Sequence, residues 1–145
     1  MPTSRGYVRA HSPDPLKSPA IQPNYLATTT DQLAVVRGLK WCRKLLNTDA
    51  LKPYLADEIL PGTNYQQDSD LLTYASNSGT TVYHPVGSCR MGTDAMAVVD
   101  PHLKLRGMTG LRVVDASVMP TMVSGNTNAT TLMIAEKASE LILNQ

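Results

Sequence analysis

The sequence lacks the features that mark several common classes of protein. Its charges almost cancel, with 13 Lys and Arg against 12 Asp and Glu and a formal net charge of +1, so its charge indicates neither a nucleic-acid partner nor an anionic membrane. No apolar run approaches the roughly 20 residues that cross a bilayer. The N-terminus also lacks the apolar stretch of a signal peptide. We therefore expect a cytoplasmic chain with no membrane segment.

Cysteine is scarce, and a glycine-rich phosphate-binding fingerprint is missing. The two cysteines, Cys42 and Cys89, are too few for a disulfide framework, and no Cys or His pair has the spacing of metal ligands. We therefore expect no metal site. The GxGxxG pattern of dinucleotide-binding folds does not occur in the 145 residues. Any dinucleotide would have to be held largely by another part of the protein.

The composition changes near Gly79. Before it the chain is rich in proline and in helical patterns, and after it the chain is rich in glycine and valine. We therefore predict two parts, residues 1–79 and residues 80–145, in a fold of the α+β or α/β class.

The first part is predicted to contain a short strand and two helices. Residues 5–10 read as a strand, and residues 11–25, with four prolines, read as irregular chain. A helix is predicted to begin with Thr30 as its N-cap, and a second to cover 68–78 and end at Gly79. The first helix has one apolar face that we expect to be buried. It comprises Val35, Leu39, Cys42 and Leu46, at intervals of four, three and four.

The second part is predicted to be mainly extended, with one helix at its end. Residues 80–84 are rich in β-branched side chains, and residues 97–107 and 111–117 read as short strands around a glycine-containing turn. Residues 119–130 read as a loop. A final helix is predicted over 130–143 from its apolar stripe.

One histidine is placed where it could carry chemistry. His84 follows the β-branched run and precedes Pro85, which favours an extended backbone. Gly87 and Gly92 allow the next loop to turn sharply or to approach a ligand closely. Imidazole exchanges protons near neutral pH, so this arrangement can present a base rigidly. From composition alone, a strand-end histidine hydrogen-bonded to the backbone is the commoner arrangement.

Polar residues also cluster before the final helix. Asn126, Thr127 and Asn128 are all possible caps for it. The first turn of a helix carries free amides and a partial positive charge, which stabilise an anion or an electron-rich ring. An ordinary capped helix behind a polar loop explains the same residues. Asp115, at the end of an apolar stretch, would either bind a hydroxyl group or cap its own turn.

Three stretches occur together and in order, and they carry a family resemblance. These are YHPVGSCRMG, VVDPHLKLRGMTGLRVVDASVMP and SGNTNATTLMIAEKASELI. They closely resemble the C-terminal region of the glucose–methanol–choline (GMC) oxidoreductases, most of all the choline dehydrogenase-like bacterial alcohol dehydrogenases. The opening PTSRGYVRAHSPDP resembles the substrate-domain strand and loop of that family. The resemblance implies a substrate-domain segment over 1–79, and the last strands and helix of the FAD-binding domain over 80–145.

The resemblance also implies a set of site residues. Family members bind FAD on an N-terminal Rossmann-type domain and oxidise an alcohol by moving a hydride to the flavin. Their HP motif matches His84, which is expected to be the base. Their second active-site residue matches Asn126, which is expected to position the substrate. Flavin contacts are expected from Tyr83, Asp115, Ala116, Thr127, Asn128, Ala129 and Thr130.

Two partners follow from the resemblance, and an alternative function stays open. The expected partners are a small primary alcohol and the N-terminal FAD-binding portion of the same enzyme. The alternative is a non-catalytic interaction module, or an inactive fragment derived from this family, that uses the proline-rich segment 11–25 to meet a partner protein. Whether the electron acceptor is oxygen or another compound is open.

Overall fold

A computed structural model describes residues 1–144 of the chain. The described chain forms two compact units: residues 2–80, and residues 81–144 together with Met1. None of the helices among the described residues is both long enough and apolar enough to cross a membrane. The assignment of the two parts to a substrate domain and an FAD-binding domain stays a prediction.

The first unit begins with a β-hairpin. Strand β1 (Tyr7–Arg9) pairs antiparallel with strand β2 (Ala20–Gln22). The strand predicted near residues 5–10 is confirmed in shortened form, but the prediction that 11–25 is wholly irregular is wrong. Strand β2 fits between Pro19 and Pro23, where neither proline has to donate a hydrogen bond within the ladder.

Helix α1 (Thr29–Leu46) begins earlier than predicted. Its N-cap is Thr28, not Thr30, and the Thr28 hydroxyl accepts a hydrogen bond from the amide of Asp31. Three consecutive threonines offer the same capping group, so the sequence does not distinguish among them. The Asp31 carboxylate in turn accepts hydrogen bonds from the amides of Thr3 and Ser4. The start of α1 is thereby tied to the N-terminal residues.

The apolar face of α1 is only partly covered. Val35 and Leu39 are half-buried, whereas Cys42 and Leu46 are exposed, so the prediction that Cys42 is buried is wrong. The fully buried residue of this helix is Val36. A 3.6-residue period identifies an amphipathic face, but it does not show how far along the helix another element packs on that face.

Helix α2 (Asp68–Ser78) matches the predicted range and packs against α1. The Asp70 carboxylate accepts a hydrogen bond from the Gln67 amide, which helps to close the first turn. The amide of Gly79 donates to Ala75, as predicted for a C-terminal cap. Leu71 is completely buried.

The connection between the two helices of the first unit is held by one arginine. The Arg43 guanidinium of α1 forms an ion pair with Glu58, with an N–O distance of 2.6 Å. It also donates to the carbonyls of Gly62 and Tyr65 at 3.2 and 2.8 Å. The hydrogen bond and the charge of Arg43, with a further hydrogen bond from the Gly62 amide, hold the pKa of the Glu58 carboxyl below its usual range.

Residues 81–144 contain no continuous strand. The strands predicted at 80–84, 97–107 and 111–117 are wrong; the structure has isolated β-bridges instead, such as that between Val99 and Leu105. The Asp100 carboxylate accepts hydrogen bonds from the amides at positions 102 and 104. That local turn competes with an extended ladder and interrupts it.

The second unit is organised around an apolar core. Helix α3 (Thr127–Leu143) packs against a short 3₁₀ helix (Ala116–Val118). Helix α3 begins three residues before the predicted start at 130. The buried side chains of the core are Val99, Leu103, Val118, Met119, Ile134 and Ala138.

Candidate functional site

The loop that carries His84 is anchored to the core of the second unit. Val86, two residues after His84, packs against that core. Gly87 has φ of +87°, and a Cβ there would lie 3.3 Å from the Met119 carbonyl oxygen, so this turn needs glycine. Further along, the amides of Cys89 and Met91 donate to the carbonyls of residues 117 and 118 at 3.0 and 2.8 Å. The histidine therefore projects from a fixed loop even though no strand precedes it.

The His84 ring is hydrogen-bonded to the start of helix α3. Its Nδ1 lies 2.9 Å from Oγ1 of Thr127, and Thr127 is only 6% exposed. The ring itself is half-buried. The ring thus bonds to a side-chain hydroxyl 43 positions away along the chain, whereas composition alone favours a hydrogen bond to the backbone. The structure thus brings the HP motif and the segment before the last helix together.

Asn126 lies at the same helix end. It is the N-cap residue of α3, adjacent in sequence to Thr127, and its side chain makes no capping hydrogen bond. Asparagine at an N-cap normally accepts a bond from the amide two or three residues on. Because that bond is not made, the Asn126 carboxamide and the first amides of α3 remain available to a ligand.

The residues predicted to contact the flavin lie in three places. Asn128, Ala129 and Thr130 follow Thr127 in the first turn of α3. Tyr83 adjoins His84 and is 82% exposed, with a left-handed backbone at φ of +60°. The third place is the 3₁₀ helix that packs against α3; it holds Ala116, preceded by Asp115.

Asp115 has a local role in the structure. Its carboxylate accepts a hydrogen bond of 2.8 Å from the Ser117 amide and so caps the 3₁₀ helix. Of the two alternatives left open by the sequence, capping its own turn is therefore observed. A contact between Asp115 and the flavin stays a prediction.

An ion pair that braces the same loop was not identified from the sequence. The Arg90 guanidinium binds the Asp94 carboxylate through two nitrogens, at 2.8 and 2.6 Å. This pairing keeps the pKa of the Asp94 carboxyl well below its usual range. Arg90 and Asp94 have opposite charges four positions apart in the sequence, but outside a helix this spacing does not indicate a contact.

The comparisons with known proteins agree over nearly the whole chain. A family model described as GMC oxidoreductase matches residues 2–135. The chain is 42% identical over its full length to an alcohol dehydrogenase [acceptor] of Pseudomonas putida, of which it covers 26%. It is 46% identical, over 96% of its length, to an oxygen-dependent choline dehydrogenase of Acinetobacter baumannii, of which it covers 25%. The chain thus spans about a quarter of the length of these curated relatives.

A solved structure has a similar fold over nearly the whole of this chain. A crystal structure of pyridoxine 4-oxidase from Mesorbium loti superimposes with a TM-score of 0.92 and 38% sequence identity. The match covers 99% of this chain and 28% of that protein. The likeness thus includes both compact units described above.

Proposed function

Because this chain belongs to the GMC oxidoreductase family, we propose that it is the C-terminal part of an FAD-dependent alcohol dehydrogenase that oxidises a primary alcohol to an aldehyde. FAD is the cofactor of this family, and when bound it supplies the acceptor for the hydride. One observation carries the proposal. The histidine of the HP motif is hydrogen-bonded to the residue that follows Asn126, at the N-terminus of α3.

In this proposal His84 is the general base. Hydride can leave the carbinol carbon only as the hydroxyl oxygen gives up its proton, and a neutral imidazole accepts that proton near pH 7. The recorded hydrogen bond of the ring uses Nδ1, which leaves Nε2 for the alcohol. General-base catalysis of this kind typically contributes about 10²- to 10⁴-fold in rate.

Asn126 is proposed to orient the substrate. A carboxamide cannot take the proton, but it can donate a hydrogen bond to the alcohol oxygen. Its side chain is not engaged in capping α3, so it can make this bond without uncapping the helix. Fixing the oxygen next to the base reduces the entropic cost of the reaction.

The residues around the start of α3 fit one part of a bound flavin. The first-turn amides, from Thr127 to Thr130, lack a side-chain cap and present partial positive charge to an electron-rich ring. Tyr83, Asp115 and Ala116 complete the proposed set of contacts. This set includes no glycine-rich phosphate loop, so the phosphates of FAD require a further part of the protein.

We therefore propose the N-terminal FAD-binding portion of the same enzyme as the partner of this chain. The relatives are about four times as long as the chain, which leaves room for such a portion. Several large apolar side chains are also exposed, among them Trp41 at 66% and Ile59 at 87%. Exposed apolar side chains of this size are available to pack against another domain.

The test is His84→Ala in the flavin-loaded enzyme that contains this chain. Rapid mixing with alcohol, followed by loss of flavin absorbance, separates alcohol binding from flavin reduction. We expect the rate constant for reduction to fall about 10²- to 10⁴-fold, with little change in the dissociation constant of the alcohol. His102→Ala is the control, since His102 is exposed and lies outside the proposed site.

Three results would contradict the proposal. An unchanged rate of reduction would show that His84 is not the base. An equal loss of binding and of reduction would make it a packing or binding residue. An enzyme that contains this chain but takes up no flavin would favour the non-catalytic interaction module.

A further inference from the structure

We propose that Thr127 is a positioning residue that fixes the tautomer and the orientation of the His84 ring, an inference that rests on the proposed role of His84 as base. Thr127 is the buried polar residue of the described chain, and its hydroxyl lies 2.9 Å from Nδ1 of His84. The sequence resemblance implies only a flavin contact for this residue. The structure assigns its side chain to the histidine.

The direction of this hydrogen bond decides what the ring can do. If the Thr127 hydroxyl donates to Nδ1, the ring proton of a neutral imidazole lies on Nε2, which then cannot accept a proton from the alcohol. If Nδ1–H donates to Oγ1, Nε2 carries a lone pair and is a base. Action of His84 through Nε2 therefore requires Thr127 to be the acceptor.

The same bond suits the protonated ring. After Nε2 has taken the alcohol proton, Nδ1–H continues to donate to Oγ1, so neither side chain has to rotate. An unpaired buried hydroxyl would be unfavourable, and no buried side-chain N or O atom in residues 1–144 lacks a hydrogen-bond partner. The hydroxyl and the ring therefore satisfy each other in both protonation states.

Thr127 is well built to hold a ring in one orientation. It is the first residue of α3, so its backbone is fixed by the helix, and its β-branched side chain has few rotamers. At metal-binding histidines, partners that orient the ring are typically worth about 10- to 100-fold in affinity or activity, and we expect an effect of similar size here.

The experiment compares Thr127→Val, Thr127→Ser and Thr131→Val in the flavin-loaded enzyme that contains this chain. Valine keeps the branched shape without the hydroxyl, and serine keeps the hydroxyl without the methyl. We expect Thr127→Val to reduce the rate constant for flavin reduction by about 10- to 100-fold with little change in alcohol binding. Thr127→Ser should restore most of that rate. Thr131→Val, which removes a hydroxyl one turn along the same helix, should behave as the wild type.

Two outcomes of this comparison overturn the inference. If the flavin of the Thr127→Val enzyme is reduced at the wild-type rate, the hydroxyl is not needed. Equal losses in Thr127→Val and Thr127→Ser would assign Thr127 to packing. If Thr127→Val loses flavin, Thr127→Ala removes the same hydroxyl in a residue that favours a helix. If His84→Ala is inactive while the flavin of Thr127→Val is reduced at the wild-type rate, only the inference about Thr127 fails. If His84→Ala keeps the wild-type rate, the proposed function itself fails.

Discussion

Residues 2–80 and residues 81–144 keep their shape by different kinds of interaction. In the first unit the buried hydrophobic side chains are Val36 and Leu71. The second unit buries a larger apolar set that spans its loops, its 3₁₀ helix and α3. This set comprises Ala97, Val99, Leu103, Val118, Met119, Ile134 and Ala138.

Polar bonds at the surface tie the elements of the first unit together. Arg43 ties α1 to the loop that follows it, and Asp31 ties α1 to the N-terminal residues. Such bonds are weakened by water and salt more than apolar packing is. The candidate site lies on the unit with the larger buried apolar core, where a histidine can be held in a fixed orientation.

The largest expected effect is on the apolar core of the second unit. Ile134 of α3 is almost fully buried in that core. Ile134→Ala leaves a cavity and should lower the free energy of unfolding by about 2–5 kcal/mol. Urea unfolding of the chain measures this change. Helix content at low urea shows whether α3 itself is retained.

The matched control for Ile134 lies on the same helix. Leu132 is 63% exposed, so Leu132→Ala should change the unfolding free energy of the isolated chain far less. Similar losses for the two variants would mean that helix propensity, not core packing, holds α3 in place. The contrast between the two units would then lose its basis.

Helices were predicted better than extended chain, for a physical reason. The range of α2 follows from local signals: an acidic residue three positions after the N-cap and a glycine at the end. The apolar spacing of 97–107 suits a strand equally well, but Asp100 binds its own neighbouring amides. A local turn of this kind cannot be distinguished from a strand until it is known whether a neighbouring strand is available for pairing.

The candidate site was predictable in part. The HP motif and the segment before the last helix were identified as candidates from the sequence, and their assignment to one site came from the family resemblance. The contact between His84 and Thr127 was not predictable, because it joins residues 43 positions apart through side-chain geometry. The Asp115 cap was one of two alternatives that the sequence left open.

A smaller loss is expected when the main polar bond of the first unit is removed. Arg43→Ala deletes the bonds to Glu58, Gly62 and Tyr65 and leaves the Glu58 carboxylate without its partner. Hydrogen bonds to charged groups are worth about 1.5–3 kcal/mol each at most, and exposure to water reduces this. We expect a total loss of about 1–3 kcal/mol, measured by urea unfolding at low salt.

Two further variants sharpen this prediction. Arg43→Lys keeps the charge but loses the fork that binds several acceptors, so it should recover only part of the loss. Arg37→Ala removes an exposed arginine from the same helix and should have little effect. A loss for Arg43→Ala that equals or exceeds that of Ile134→Ala would reverse the order in which apolar packing and polar bonds stabilise the two units.

The smallest expected effect is a pH dependence that belongs to the first unit. Hydrogen bonds from the Ser4 hydroxyl and from the amides of Thr3 and Ser4 hold the pKa of the Asp31 carboxyl below its usual range. Because the folded pKa lies below the unfolded one, Asp31 stabilises the fold above the unfolded pKa. That contribution is lost as the pH falls through the folded pKa.

Asp31→Asn should therefore flatten the acid side of the stability curve. Between about pH 5 and pH 3 the unfolding free energy of the wild type should fall more steeply than that of the variant, and the two should converge at the acid end. Asp49→Asn, in the exposed turn after α1, should leave the wild-type slope unchanged. Parallel curves for the wild type and Asp31→Asn would mean that the bonds from Thr3 and Ser4 do not stabilise the folded carboxylate. The first unit would then depend on Arg43 and on the packing of α1 against α2.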